Sequence, residues 1–211
     1  IKAPGIGFLN AMFQAHMEID GVEGVLSSFD GKPLGTEWLP NQPSPYGPAE
    51  VSLSTIRFER EGFDLLLRVE RIVGSPVVLL NAGIHVFGSK PCDLLNLSLL
   101  RINHHVTSTG PLQIEGPPEE WVISGVFSES EALKEGPIAD ARPLRGLPKA
   151  KITEDCSLYS QDGRGVFIGP TGNPEAFTYV DFAALAGDRI EVTLSSSMDV
   201  RVDPGETRWG Q

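Results

Sequence analysis

Ile190-Glu191-Val192-Thr193-Leu194 and Met198-Asp199-Val200-Arg201-Val202 both alternate apolar with polar residues, and Asp203-Pro204-Gly205-Glu206 follows the second run directly. A period of two marks strands that bury one face and wet the other. The tetrapeptide suits a type II turn, because proline pre-sets φ at its second position and glycine accepts φ > 0 at its third. β structure is therefore expected at this end of the chain. Thr207, Arg208, Trp209, Gly210 and Gln211 form a short polar and aromatic tail that is expected to add no element of its own. A chain that stops so soon after a marked turn is expected to be the front piece of something larger.

The same period recurs upstream. Val51 to Phe58 alternates, Phe63 to Val73 follows it, and Glu61-Gly62 between them reads as a hairpin. Val77 to Leu80, Ile84 to Phe87 and Leu94 to Val106 continue the pattern, with Asn81-Ala82-Gly83 and Gly88 to Pro91 as the breaks between them. Asp162-Gly163 opens another hairpin, with strands at Ser157 to Ser160 and Val166 to Gly169, and Ala176 to Phe182 adds a further strand. Met12 to Ile19 fits a strand better than a helix, since Gly21 and Gly24 interrupt any longer helix. Gly31 to Gly35 reads as a turn. Trp38 to Pro48 holds prolines at 40, 43, 45 and 48, and a surface loop is expected there. Ser128-Glu129-Ser130-Glu131 has the form of a capping box, so a single helical turn is expected over Glu129 to Lys134. About a dozen strands with little or no helix predict an all-β chain, a large antiparallel two-sheet sandwich of the supersandwich kind, formed by residues 1–211 as a single domain.

Composition narrows the function. The 211 residues are 40% apolar, enough for a sizeable core, and no apolar run reaches the roughly 18 residues of a membrane span. The net charge is -11 and no run of lysine and arginine is longer than two, which argues against nucleic acid and anionic membranes as partners. Solubility is expected, with the cytoplasm slightly favoured as the compartment. Cys92 and Cys156 read as two buried small hydrophobes, although a single bridge between them stays open.

Residues that carry chemistry are sparse. His104-His105 are neighbours that point to opposite faces of a strand, and His16 and His85 are isolated, so no metal site and no cofactor is expected. Glu119-Glu120, Glu129 with Glu131, and Glu154-Asp155 are carboxylate pairs by count, but solvated charge is the plainer reading, since a glycosidase holds its two carboxylates across a cleft. Gly163-Arg164-Gly165 lacks the helix that would make it a phosphate loop, and no G-x-S-x-G elbow exists. No catalytic residue is assigned. Trp38, Tyr46, Trp121 and Trp209 stand at loops or loop edges and are the candidate substrate-binding residues, because aromatic rings stack on the apolar face of a pyranose. For each of them, ordinary packing is the competing role.

Asp162 to Gly169, Ile190 to Val202 and Pro204-Gly205-Glu206-Thr207-Arg208 resemble the closing strands of the N-terminal β-sandwich domain of α-galactosidase and raffinose-synthase-like glycoside hydrolases. In that family a P-G-E-T-R-like turn leads toward a (β/α)8 catalytic barrel. Trp121 to Ser130 resembles the family's segment ending in G-[aromatic]-Q-S-W-S at Gly125, Ser128 and Ser130, and departs from it at Val126, Phe127 and Glu129. The resemblance implies a non-catalytic N-terminal domain of a longer glycosidase. Its partner would be its own downstream catalytic domain, on which it packs while lending an aromatic loop to the active-site rim; carbohydrate is a further candidate partner. The family's nucleophile and acid/base aspartates lie in the barrel, so none is implied here. The alternative reading is a free-standing, lectin-like carbohydrate-binding module.

Overall fold

The computed structural model describes residues 2–3, 6–8, 12–105, 112–114, 121–127, 132–137, 150–160, 162–169, 177–185 and 189–210. Its strands are, in order, β1 (Lys2–Ala3), β2 (Ile6–Phe8), β3 (Met12–Ile19), β4 (Val22–Ser27), β5 (Lys32–Ser44) and β6 (Gly47–Phe58). Next come β7 (Phe63–Ile72), β8 (Val78–Val86), β9 (Cys92–His105), β10 (Leu112–Ile114), β11 (Trp121–Phe127) and β12 (Ala132–Pro137). The series closes with β13 (Ala150–Ser160), β14 (Gly165–Ile168), β15 (Phe177–Leu185), β16 (Arg189–Val202) and β17 (Thr207–Trp209). No helix occurs among the described residues, so the protein is all-β as expected. The chain divides into two compact units.

The unit made of residues 13–99, 174–177 and 196–211 is a two-sheet sandwich. One sheet runs in the order β17-β8-β7-β6-β5 with every pairing antiparallel, and the other places β16, β9, β3 and β4 side by side. The alternation read in Val51 to Val73 sorts the faces. Phe58 is registered with Phe63 and Phe63 with Val86, while Ile56, Leu65 and Ile84 form the next row on the same face. These side chains meet Ala15 and Met17 from β3, Cys92, Leu94 and Leu97 from β9, and Val202 from β16 in one core. Phe63, Met17, Leu65, Ile84, Leu94 and Leu97 are its largest fully buried members, each worth about 1.5–3 kcal/mol relative to an exposed position.

Turns fall where glycine permits them. The β6–β7 hairpin closes over Glu59 to Gly62, with Gly62 at φ 83° and its amide donating to the Phe58 carbonyl at 2.9 Å. After β16, the Glu206 amide donates to the Asp203 carbonyl at 3.0 Å and Gly205 stands at φ 85°, as a type II turn requires. The Gly205 amide then donates to the Val86 carbonyl at 2.7 Å, so this turn carries the chain from one sheet of the sandwich to the other.

Several sequence expectations are corrected here. The tail does form an element: β17 pairs with β8 through Thr207–His85, Arg208–Ile84 and Trp209–Gly83. Asn81-Ala82-Gly83 is no turn, because β8 runs unbroken from Val78 to Val86. The turn expected at Gly31 to Gly35 sits earlier, around Ser28 to Gly31, and β5 starts at Lys32. The proline-rich stretch from Trp38 is strand for most of its length, with only Pro45 and Tyr46 as turn residues. Proline is tolerated there because β5 is an edge strand and its ladder shifts register between Leu39 and Gln42.

The second unit comprises residues 1–12, 100–173 and 178–195. β11 pairs with β12 and with β13, β13 also takes β14 and β15, and a three-stranded sheet joins β1, β2 and β10. The predicted hairpin at Asp162-Gly163 is present between β13 and β14, with Gly163 at φ 82°. The helical turn expected over Glu129 to Lys134 is overturned at Ala132, Leu133 and Lys134, which pair with Phe127, Val126 and Gly125; residues 128–131 lie outside the described residues. The runs Ile190 to Leu194 and Met198 to Val202 belong to one continuous strand, β16.

Candidate functional site

β5 is the outer strand of the five-stranded sheet, and it presents Trp38 with 72% of its surface exposed. Trp38 is registered with Ser52, and two residues earlier Thr36 is registered with Ser54, their hydroxyls 2.8 Å apart. Side chains two residues apart on a strand share a face, so Trp38, Thr36, Ser52 and Ser54 lie on one face of the sheet, the same face that carries Ile56 and Phe58 further along β6. Glu50, two residues before Ser52, shares that side, and Arg71 is its registered partner on β7. Opposite Glu50 the β5 ladder breaks at Pro40 and Asn41, and Asn41 takes φ 53°. Two β5 residues, Pro40 and Asn41, thus stand against the single Glu50. Among the described residues, Glu50 and Arg71 have neither an ion pair nor a side-chain hydrogen bond, and both are exposed.

A shallow, open depression of about 320 Å³ lies beside them, lined by Glu50, Arg71 and the β7–β8 turn from Ile72 to Pro76. Its walls are fixed by backbone bonds. The Val73 amide donates to the Pro48 carbonyl at 2.9 Å, and the Ser75 amide to the Ile72 carbonyl at 3.2 Å. Ser75 Oγ accepts from the Val77 amide at 3.2 Å. Tyr46, 54% exposed, sits at the tip of the neighbouring β5–β6 hairpin, where its amide donates to Ser44 Oγ at 3.3 Å. Trp38 and Tyr46 thus belong to one hairpin, with Glu50 and Arg71 beside them.

The other two aromatic candidates lie elsewhere. Trp209 is in β17, at the opposite edge of the same sheet. Its partner Gly83 is three residues from Leu80, the β8 residue in the row of Trp38, so Trp209 looks out from the other face. Trp121 is in the second unit, where it opens β11 opposite Ser160. Sequence reasoning singled out Trp38 and missed Glu50 and Arg71. Neither sits in a motif, and only the strand register brings them to Trp38.

The remaining polar clusters are structural. Arg57 grips the buried carboxylate of Asp64 with two bonds, Nε to Oδ1 and a terminal nitrogen to Oδ2, both 2.8 Å, and its guanidinium lies 4.4 Å from the centre of the Phe87 ring. Donation to Asp64 raises the Arg57 pKa above its ordinary value. His85 Nδ1 is 2.9 Å from Thr207 Oγ1 and 3.1 Å from the Glu206 carbonyl, a link that ties β17 to β8. The Asp162 carboxylate accepts from the Ser160 hydroxyl and from Arg164, and these bonds hold its pKa below the usual value. Burial pushes the free thiol of Cys92 up to about 11. Among the described residues no three His, Cys, Asp or Glu side chains are grouped to hold a metal ion, and no helix is long and apolar enough to cross a membrane. The Trp38 patch can stack a flat apolar surface and exchange hydrogen bonds beside it.

No protein-family model matches the sequence, and no curated protein matches it. Solved structures do match the fold. A variant of the GH36 α-galactosidase AgaA from Geobacillus stearothermophilus, in complex with stachyose, superposes with a TM-score of 0.55 at 9% identity over 92% of this chain. The galactosidase domain of the α-galactosidase-sucrose kinase AgaSK gives a TM-score of 0.53 at 10% identity over 93% of this chain. The chain spans only 28% of the length of either structure. Its fold is therefore that of a part of GH36 α-galactosidase chains, in agreement with the resemblance drawn from the closing strands.

Proposed function

We propose that this chain is a non-catalytic β-sandwich domain of an α-galactosidase-like glycoside hydrolase, which packs on its own downstream catalytic domain and shapes the rim of that domain's active site. The observation that carries the reading is the fold match, which takes in 93% of this chain and just 28% of a galactosidase domain. A segment that small relative to the enzyme serves as an accessory to the rest. Its function is to support and position the catalytic part.

The test compares two products of the gene, one ending at Gln211 and one continuing beyond it, with an aryl α-galactoside as substrate. The longer product is expected to release the aryl group and the shorter one to be inert. Turnover by the shorter product, or a longer product that hydrolyses no glycoside, overturns the reading.

A second reading, a carbohydrate-binding module that acts by itself, draws on a different observation: the exposed ring of Trp38 stands on the same face as Glu50 and Arg71. Saturable binding of a sugar by the isolated chain supports it.

A further inference from the structure

We infer that Trp38, Asn41, Glu50, Ser52 and Arg71 form a binding site for one neutral hexopyranose unit, placed on the open edge of the five-stranded sheet. The inference rests on the carbohydrate-binding reading and gives it a location.

A pyranose makes two demands of its site. One face of the ring is a patch of C–H groups that gains from lying on an aromatic plane, and the ring's rim carries hydroxyls that both donate and accept. Trp38 supplies the plane. It is the most exposed of the large apolar side chains on β5 to β8, and among the described residues its edge strand has no neighbour on the outer side. Glu50 lies diagonally across from it, one pair beyond Ser52. Diagonal neighbours in an antiparallel pair stand about 7–8 Å apart, a span that one pyranose ring bridges. A sugar stacked on Trp38 therefore brings a hydroxyl to the Glu50 carboxylate.

The polar set is complementary. Glu50 only accepts, Arg71 only donates, and the Ser52 hydroxyl and Asn41 amide do both. Glu50 and Arg71 have no side-chain partner among the described residues, so binding breaks no internal bond of theirs. The bulge sets Pro40 and Asn41 together opposite Glu50, two residues against one, and bends the edge strand beside that carboxylate. A carboxylate and a guanidinium side by side favour hydroxyls over a charged ligand, because either ion repels one sign. The depression under Arg71, at about 320 Å³, accepts a substituent of the ring.

The site makes predictions that the general reading does not. The purified chain is titrated with methyl α-galactopyranoside and methyl β-glucopyranoside, by tryptophan fluorescence and by heat of binding. A Trp38→Ala variant is expected to weaken binding of the preferred glycoside about tenfold, the loss of one aromatic stack, and Trp38→Phe to recover most of it. Glu50→Gln and Arg71→Met each are expected to weaken it by more than about tenfold, as for one hydrogen bond to a charged group. All three positions are exposed strand sites, so circular dichroism is expected to be unchanged. Binding by the wild type that Trp38→Ala leaves intact overturns the site while the carbohydrate reading stands. A wild type that binds neither glycoside overturns both.

Discussion

The ring of Trp209 lies directly on the backbone of Gly83. A methyl group built on Gly83 would come within 2.8 Å of Trp209 Cε3 and 2.9 Å of its Cδ2, and within 2.8 Å of the Arg208 carbonyl oxygen. Backbone and a half-buried ring form two sides of that contact, so neither gives way cheaply. Gly83 is thus required for space, with no turn at its position.

Gly83→Ala is expected to destabilise the chain by about 1–3 kcal/mol, the usual cost of forcing atoms into a packed contact. The damage should concentrate in β17 and the residues flanking it, where the amides of Gly205 and Gly210 donate to Val86 and Ala82. Chemical denaturation measures the loss, and hydrogen exchange at those amides locates it. Gly24→Ala is the control: a methyl there meets nothing within 4 Å. Equal stability of the two variants would refute the role given to the Trp209 contact.

Gly83 also shows where sequence reading stops. Asn81-Ala82-Gly83 looks like a break because glycine and asparagine punctuate chains, yet the glycine answers to a residue 126 positions away in sequence. Patterns confined to one strand were legible: the alternation of Val51 to Phe58, the hairpin at Glu61-Gly62 and the Asp203 to Glu206 turn all stand as read. The prolines at 40 and 43 misled for a related reason, since a proline that breaks an inner strand is acceptable on an edge, and edge position is a property of the sheet. Trp38 was legible as an exposed aromatic. Glu50 and Arg71 were not, because their convergence exists only in the register of three strands.

The Arg57–Asp64 pair offers a contrast with the surface pair of Lys90 and Asp20. Asp64 is 5% exposed and held by two bonds, whereas both members of the Lys90 pair are largely in water. Removing Arg57 strands a carboxylate away from solvent, which costs more than the pair contributes. Arg57→Met is expected to lower the denaturation midpoint clearly, and Lys90→Met to leave it within error, since exposed pairs add little. The double variant Arg57→Met with Asp64→Leu is expected to regain part of the loss. A midpoint shift of the same size for Arg57→Met and Lys90→Met would contradict this account.

Cys92 sets a limit at alkaline pH. Its thiol is pushed up to about 11, first by burial and then by the charge of Asp93. The folded state therefore favours the protonated form. Its contribution is complete below the ordinary thiol pKa of 9.0 and is lost as pH rises through about 11. Unfolding free energy measured across that window is expected to fall with pH, and to fall less steeply in Cys92→Ala. A thiol reagent at neutral pH is expected to label Cys92 only after denaturation. Immediate labelling of Cys92 itself in the native chain, located by peptide mapping, would refute the assignment.

Edge protection gives the last test. β5 is the longest strand of its sheet at 13 residues and, among the described residues, has one side open, a template on which another chain could pair. Pro33, Pro40 and Pro43 remove three amide donors from it, and the register shifts at Pro33/Gly35 and Leu39/Gln42 twist what is left. Replacing Pro40 and Pro43 together by threonine restores two donors and raises strand propensity, so the variant is expected to self-associate at concentrations where the wild type does not. Sedimentation velocity over a concentration series reads this directly. A single added charge, Thr36→Lys in the same variant, is expected to suppress the association, because a lysine on an edge opposes edge-to-edge pairing. If the proline variant sediments as the wild type does at every concentration, the prolines do not guard this edge, and their place in β5 needs another cause.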